Sequence, residues 1–307
     1  MDFHKHPISQ SLIKKFLHRG NELEYCPKLI YHTEMIQDIP RHVSEEMNHG
    51  RFFETLCLGS SINGEQLLDL PRKKLTQLQT AQNEKAIREG KTPPNVAKKK
   101  VGQERLEQQA LIFKQLCVKY QINVVPDINT QIPIKIKWAL DSKIMLSMTL
   151  DIFPTSVMGS TGLYLATIDL KCTGNIHNTF GNYCYGDADN LDKLQGWMYH
   201  YGVRNIDFDL NPHLEDIVTP KAMEIIKCNE IKFLLWVFDY GKDELENKFI
   251  QIKWDENAKN ELFESIRKTI SIIENHEAKG WPTKPEYSFC IKCPIKDCVD
   301  RTVVENI

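Results

Sequence analysis

Between Ile132 and Cys172 three extended runs follow one another, and nothing else in the chain constrains its fold as strongly. IPIKIKW over 132–138 alternates apolar and polar residues, MLSMTLDIF over 145–153 is a second extended run, and LYLATIDLKC over 163–172 is a third. Asp141-Ser142 and Gly159-Ser160-Thr161-Gly162 supply turn residues between them. Residues two apart share a face on a strand but not on a helix, so this alternation predicts a three-stranded meander.

Helical spacing surrounds that meander. The segment 9–31 places Leu12, Ile13, Phe16 and Leu17 on one face before a Tyr-Cys-Pro turn, and EEMNHGRFFETLCL over 45–58 ends at Gly59, a natural helix stop. LDKLQGWMYHYG over 191–202 aligns Leu191, Leu194, Met198 and Tyr201, KFLLWVF over 232–238 and KFIQIKW over 248–254 read as strands, and 256–276 closes as a helix. With 41% hydrophobic and 26% charged residues, the 307-residue chain has enough apolar surface for a full core. The order of elements predicts one α/β (α+β) domain over 1–307, a central mixed sheet flanked by helices.

No run of eighteen apolar residues exists, and charges occupy the N-terminal stretch where a signal peptide needs an apolar one, so the reading is a soluble, cytoplasmic protein with no membrane partner. A net charge of −2 neither advertises nor forbids a polyanionic partner. The charge is unevenly spread, however. The stretch 71–109, at the heart of a basic helical insertion of about 65–115, holds ten Lys or Arg against four Glu and is broken at Pro93-Pro94. Lys98, Lys99 and Lys100 are its densest point and the candidate phosphate contacts.

Phosphodiester hydrolysis with Mg²⁺ or Mn²⁺ needs oxygen ligands that leave water sites open, and a group to orient the attacking water. Asp151 closes the second extended run, and Asp169 and Lys171 lie on the third. Being two apart on a strand, Asp169 and Lys171 project together while Leu170 turns into the core and can offer its backbone carbonyl to a metal.

With its neighbours, this pair resembles the RecB-like branch of the PD-(D/E)XK nucleases. The family pattern of a helical Gly-x-x-x-His/Glu, an Asp, an Asp/Glu-x-Lys and a Gln-x-x-x-Tyr helix reads here as Gly50-Arg51-Phe52-Phe53-Glu54, Asp151, Asp169-Leu170-Lys171 and Gln195-Gly196-Trp197-Met198-Tyr199, in the same order. The wording ATIDLKCTG followed by LQGWMYHYG is similar to the RecE-like phage and recombination exonucleases. The resemblance implies a restriction-endonuclease-like core, with Glu54, Asp151 and Asp169 as metal ligands and Lys171 as the water-positioning cation. It implies that Gln195 orients Lys171 or the scissile phosphate, and that Tyr199 packs or binds DNA. It also implies an exonuclease of DNA recombination, repair or phage replication, with a helicase or single-strand annealing protein as partner. The alternatives are RNA as substrate, or an inactive DNA-binding scaffold on the same fold.

Nine cysteines in a chain read as cytoplasmic argue against a disulfide framework. Cys290-x-x-Cys293-x4-Cys298 has the spacing of a loop that wraps one metal or cluster, within a clasp over 286–300. Resemblance to AddB-type iron–sulfur nucleases, which use one early and three late cysteines, implies Cys26 as fourth ligand of a [4Fe–4S] cluster, with Zn²⁺ as the alternative occupant. Cys57, Cys117, Cys172, Cys184 and Cys228 lack such spacing and read as core residues.

Overall fold

The structure is a computed structural model that describes residues 2–18, 21–22, 25–40, 45–59, 77–94, 101–176, 193–228, 230–241, 246–284, 290, 293–295 and 298. Its elements in chain order are β1 (Ile8–Ser9), α1 (Gln10–Phe16), β2 (Leu17–His18), β3 (Asn21–Glu22), α2 (Pro27–Ile30) running into a π-helical turn (Tyr31–Met35), and α3 (Glu45–Leu58). There follow α4 (Gln77–Arg88), α5 (Val101–Lys119), β4 (Thr130–Trp138), β5 (Asp141–Gly159), β6 (Gly162–Thr173) and α6 (Leu194–Arg204). A 3₁₀ turn (Pro212–Asp216), α7 (Pro220–Cys228), β7 (Ile231–Asp239), β8 (Asn247–Ile252) and α8 (Glu256–Ala278) complete the chain.

A six-stranded mixed sheet forms the centre, with β4, β5 and β6 joined antiparallel as the alternation predicts. β7 adds parallel to β6 after the α6–α7 crossover, and β8 closes the far edge antiparallel to β7. Leu146 has Ile136 of β4 on one side and Ile8 of β1 on the other, whereas Ile152 has Thr130 of β4 and Ile168 of β6. β1 and β6 therefore share one edge of β5 in succession. The second extended run does not stop at Phe153: β5 continues for 19 residues through a bulge between Ile152 and Thr155. Asp151 consequently stands in mid-strand just before a bulge, not at a strand end.

Helices cover both faces of the sheet. Alternation along β7 sends Phe233, Leu235 and Val237 into a core shared with α1, α6 and α8, and Leu234, Trp236 and Phe238 into a second core under α3 and α5. Each such large side chain contributes roughly 1.5–3 kcal/mol on full burial. The basic stretch read as an insertion divides here: helices flank Pro93-Pro94, and α5 buries Leu106, Ala110, Phe113 and Cys117 against α3 as part of the core. Lys98, Lys99 and Lys100 lie outside the described residues.

At the level of Asp151 the sheet changes the face it presents. Leu150 and Ile132 pack in the first core, but Ile152 packs in the second, and Thr130 donates its hydroxyl to the Leu58 carbonyl at the end of α3. The exposed side of β4 is protected differently. Asn211 accepts from the Lys135 N–H at 2.8 Å and donates to its carbonyl at 2.7 Å, occupying backbone groups of an edge strand that would otherwise invite pairing. Among the described residues no helix is long and apolar enough to cross a membrane.

Candidate active site

β6 carries Asp169 and Lys171 on one face while Leu170 between them is buried in the α3–α5 core, as period two requires. Asp169 is 1% exposed, and each of its oxygens has a partner: Lys171 Nζ pairs with Oδ2, and the Gln195 amide donates to Oδ1 at 2.5 Å. A carboxylate that only accepts fixes which end of the Gln195 amide faces it. The same Nε2 donates its second hydrogen to Tyr199 Oη at 2.9 Å, one helical turn on.

α6 can approach closely enough for this contact because it presents glycine to the sheet. A Cβ on Gly196 would lie 2.6 Å from the Phe233 ring, and one on Gly202 would lie 2.0 Å from Met148 Sδ. Tyr199 is buried edge-on against Phe233, ring centroids 5.5 Å apart, so it supports Gln195 from within the core and presents no ring to a ligand. Of the two roles the sequence reading gave Tyr199, packing or binding DNA, its burial and ring contact describe the first.

Asp151 enters from β5, its Oδ2 accepting from the Leu170 N–H at 2.8 Å. Glu54 enters from α3 on the other side, within electrostatic reach of Asp169 and Lys171, with Arg51 one turn earlier on the same helix. Burial, reinforced by the Asp169 charge against the opposing pull of Lys171 and Arg51, raises the Glu54 carboxyl to a pKa of about 7. Burial and the charges of Asp169 and Glu54 hold the Asp151 carboxyl well above the ordinary carboxylate range. At Lys171 burial works against the ammonium, but Asp169, Asp151 and Glu54 outweigh it, so its pKa rises and it stays cationic. A third of the Lys171 side chain remains accessible, and the cluster meets solvent there.

Three carboxylates thus converge on one ammonium. Two of them resist ionisation because burial and the neighbouring carboxylate charges outweigh the Lys171 ammonium, and a divalent cation would offset that imbalance. All the donors are oxygens, which suits Mg²⁺ or Mn²⁺ and not a soft ion. Among the described residues no three His, Cys, Asp or Glu side chains already close on a common point.

Cys26 near one chain end lies within electrostatic reach of Cys293 near the other, without the four thiols forming a closed group among the described residues. Cys26 caps α2, the Lys28 N–H donates to the Pro282 carbonyl at 3.3 Å, and Tyr25 bonds His276 of α8 at 2.7 Å. Burial, with smaller contributions from the nearby thiols of Cys26, Cys298 and Cys290, pushes the Cys293 thiol up. Cys57 and Cys117 are buried as the sequence predicts, and Cys172 is half-buried. Cys228 is exposed at the end of α7, so its reading as a core residue is wrong, and Cys184 lies outside the described residues. No protein-family model matches the chain, and no curated protein matches it in sequence.

Proposed function

We propose that this chain is a divalent-metal-dependent DNA nuclease of the PD-(D/E)XK type, acting as an exonuclease. The observation that carries the reading is the Asp169–Lys171 pair on β6, with Asp151 on the neighbouring strand and Glu54 facing it from α3. Glu54, Asp151, Asp169 and the Leu170 carbonyl would hold Mg²⁺ or Mn²⁺. When bound, the ion polarises the phosphodiester and acidifies a water molecule, the chemistry that hydrolysis at neutral pH requires.

Lys171 remains protonated among the carboxylates, so its part is to orient the attacking water and offset charge at phosphorus, not to accept a proton. Gln195 fixes the carboxylate of Asp169, and Tyr199 fixes Gln195. Lys98, Lys99 and Lys100 supply phosphate contacts, and a helicase or single-strand annealing protein is the partner this chemistry serves. The neighbourhood shared by Cys26, Cys290, Cys293 and Cys298 supports a second, structural centre, a [4Fe–4S] cluster or Zn²⁺, that pins the chain ends.

The deciding experiment incubates end-labelled single- and double-stranded DNA with purified protein in Mg²⁺ and in Mn²⁺, beside Lys171→Ala. Progressive loss of label from the wild type alone is expected. No cleavage of either substrate in either metal, or equal cleavage by the variant, refutes the proposal.

A further inference from the structure

In the β4–β5 ladder Thr130 pairs with Ile152 and Ile132 with Leu150, so the register puts Gln131 and Asp151 at opposed positions, with no ladder pairing between these two. Neighbouring strands run about 4.7–4.9 Å apart, a span that a glutamine side chain covers. Three properties single this residue out. Its φ is 50°, in the left-handed region that side-chain-bearing residues enter at a cost. It is only 9% exposed. Its Oε1 is enclosed and meets no hydrogen-bond donor.

The backbone conformation alone has a fold-level reason, because Gln131 is where β4 passes from the α3 side of the sheet to the opposite core. That reason does not call for glutamine. Glycine adopts the left-handed region without strain, and an apolar side chain fills the space without stranding an acceptor. A buried, strained glutamine with an unanswered acceptor, opposite a carboxylate of the candidate site, calls for a donor that arrives with a ligand. Beside three carboxylates and a lysine, the donor that matches an amide oxygen is the O–H of a water held by a cation, because Mg²⁺ and Mn²⁺ retain several waters when protein-bound.

We infer that Gln131 is a positioning residue of this site, its Oε1 accepting a hydrogen bond from a water of the divalent ion's hydration shell. The inference rests on the reading of the carboxylate cluster as a metal site. Gln131 sets how firmly the hydrated ion is held and contributes no charge.

Mn²⁺ binding in the absence of DNA, followed by calorimetric titration and by the electron paramagnetic resonance of free Mn²⁺, tests it on Gln131→Leu and Gln131→Gly. Both variants are expected to weaken Mn²⁺ about tenfold or more. Gln131→Gly, which relieves the left-handed strain, should also melt higher than wild type when metal-free, so its weaker binding cannot be put down to misfolding. Wild-type protein that takes up no Mn²⁺ overturns the metal-site reading itself. Wild-type binding matched by both variants overturns the role of Gln131 alone.

Discussion

Gln195 donates to Asp169 at 2.5 Å from a helix that crosses the other strands' face, so the carboxylate paired with Lys171 is oriented from outside its own strand. The consequence is a division of labour. Each oxygen of Asp169 has one partner and keeps a further acceptor site for a cation, while burial favours the protonated forms of Asp151 and Glu54, against which an incoming cation must compete. Four predictions follow from this arrangement and from the packing that creates it.

Asp151→Asn should stabilise the metal-free protein while destroying activity. The buried Asp151 carboxyl resists ionisation, and an amide of the same shape keeps the acceptor for the Leu170 N–H without the charge. At pH 8 the melting temperature should rise, because the variant removes the cost of ionising a buried carboxyl. Cleavage should fall at least ~100-fold. A variant that melts lower and still cuts would remove Asp151 from the site.

Metal stabilisation should grow with pH. Glu54 has its folded-state pKa raised from 4.5 to about 7, so its contribution to stability is complete below 4.5 and is lost as pH rises through about 7. Metal-free protein should therefore weaken over that window, and Mn²⁺, which binds the ionised carboxylate, should recover more stability at pH 8 than at pH 5.5. Thermal melts with and without Mn²⁺ across this range provide the check. An increment that does not change with pH contradicts the assignment of Glu54.

Gly196→Ala should damage the site without touching a charged residue. Its Cβ would fall 2.6 Å from the Phe233 ring and 2.9 Å from Ile252, neither of which can retreat easily in a packed core. Overpacking of this kind costs about 1–3 kcal/mol, and lifting α6 lengthens the Gln195–Asp169 bond. Urea unfolding should show the stability loss, and cleavage should fall more steeply than that loss alone explains. Unchanged unfolding and activity would mean that α6 is not held against the sheet at Gly196.

Anaerobically purified protein should contain iron and sulfide, or zinc, at one centre per chain, and Cys26→Ser should lose most of it. The Cys293 thiol is pushed up by burial and by its three thiol neighbours, so loading should release protons and strengthen as pH rises. The variant should unfold at lower temperature, because the ligands tie residues near both chain ends. Full metal content in Cys26→Ser removes the early cysteine from the set, and metal-free wild type removes the centre.

The sequence alone determined relations between residues close along the chain. Period two put Asp169 and Lys171 on one face with Leu170 opposite, and predicted the β4–β5–β6 meander. Period 3.6 predicted α3, α6 and α8 within a few residues of where they lie. These follow from backbone geometry, which repeats identically wherever the pattern occurs. The tertiary structure decided what depends on partners far away in sequence: that β5 runs on through a bulge, that α5 is core, that Tyr199 is buried beneath Gln195, and that Cys228 is exposed. Gln131 left no signal at all, since what distinguishes it is a left-handed φ taken as β4 changes faces and a buried amide oxygen without a donor. Burial and the raised pKa values of Glu54 and Asp151 belong to the same class, because the field at a carboxylate is set by every strand and helix that excludes water from it.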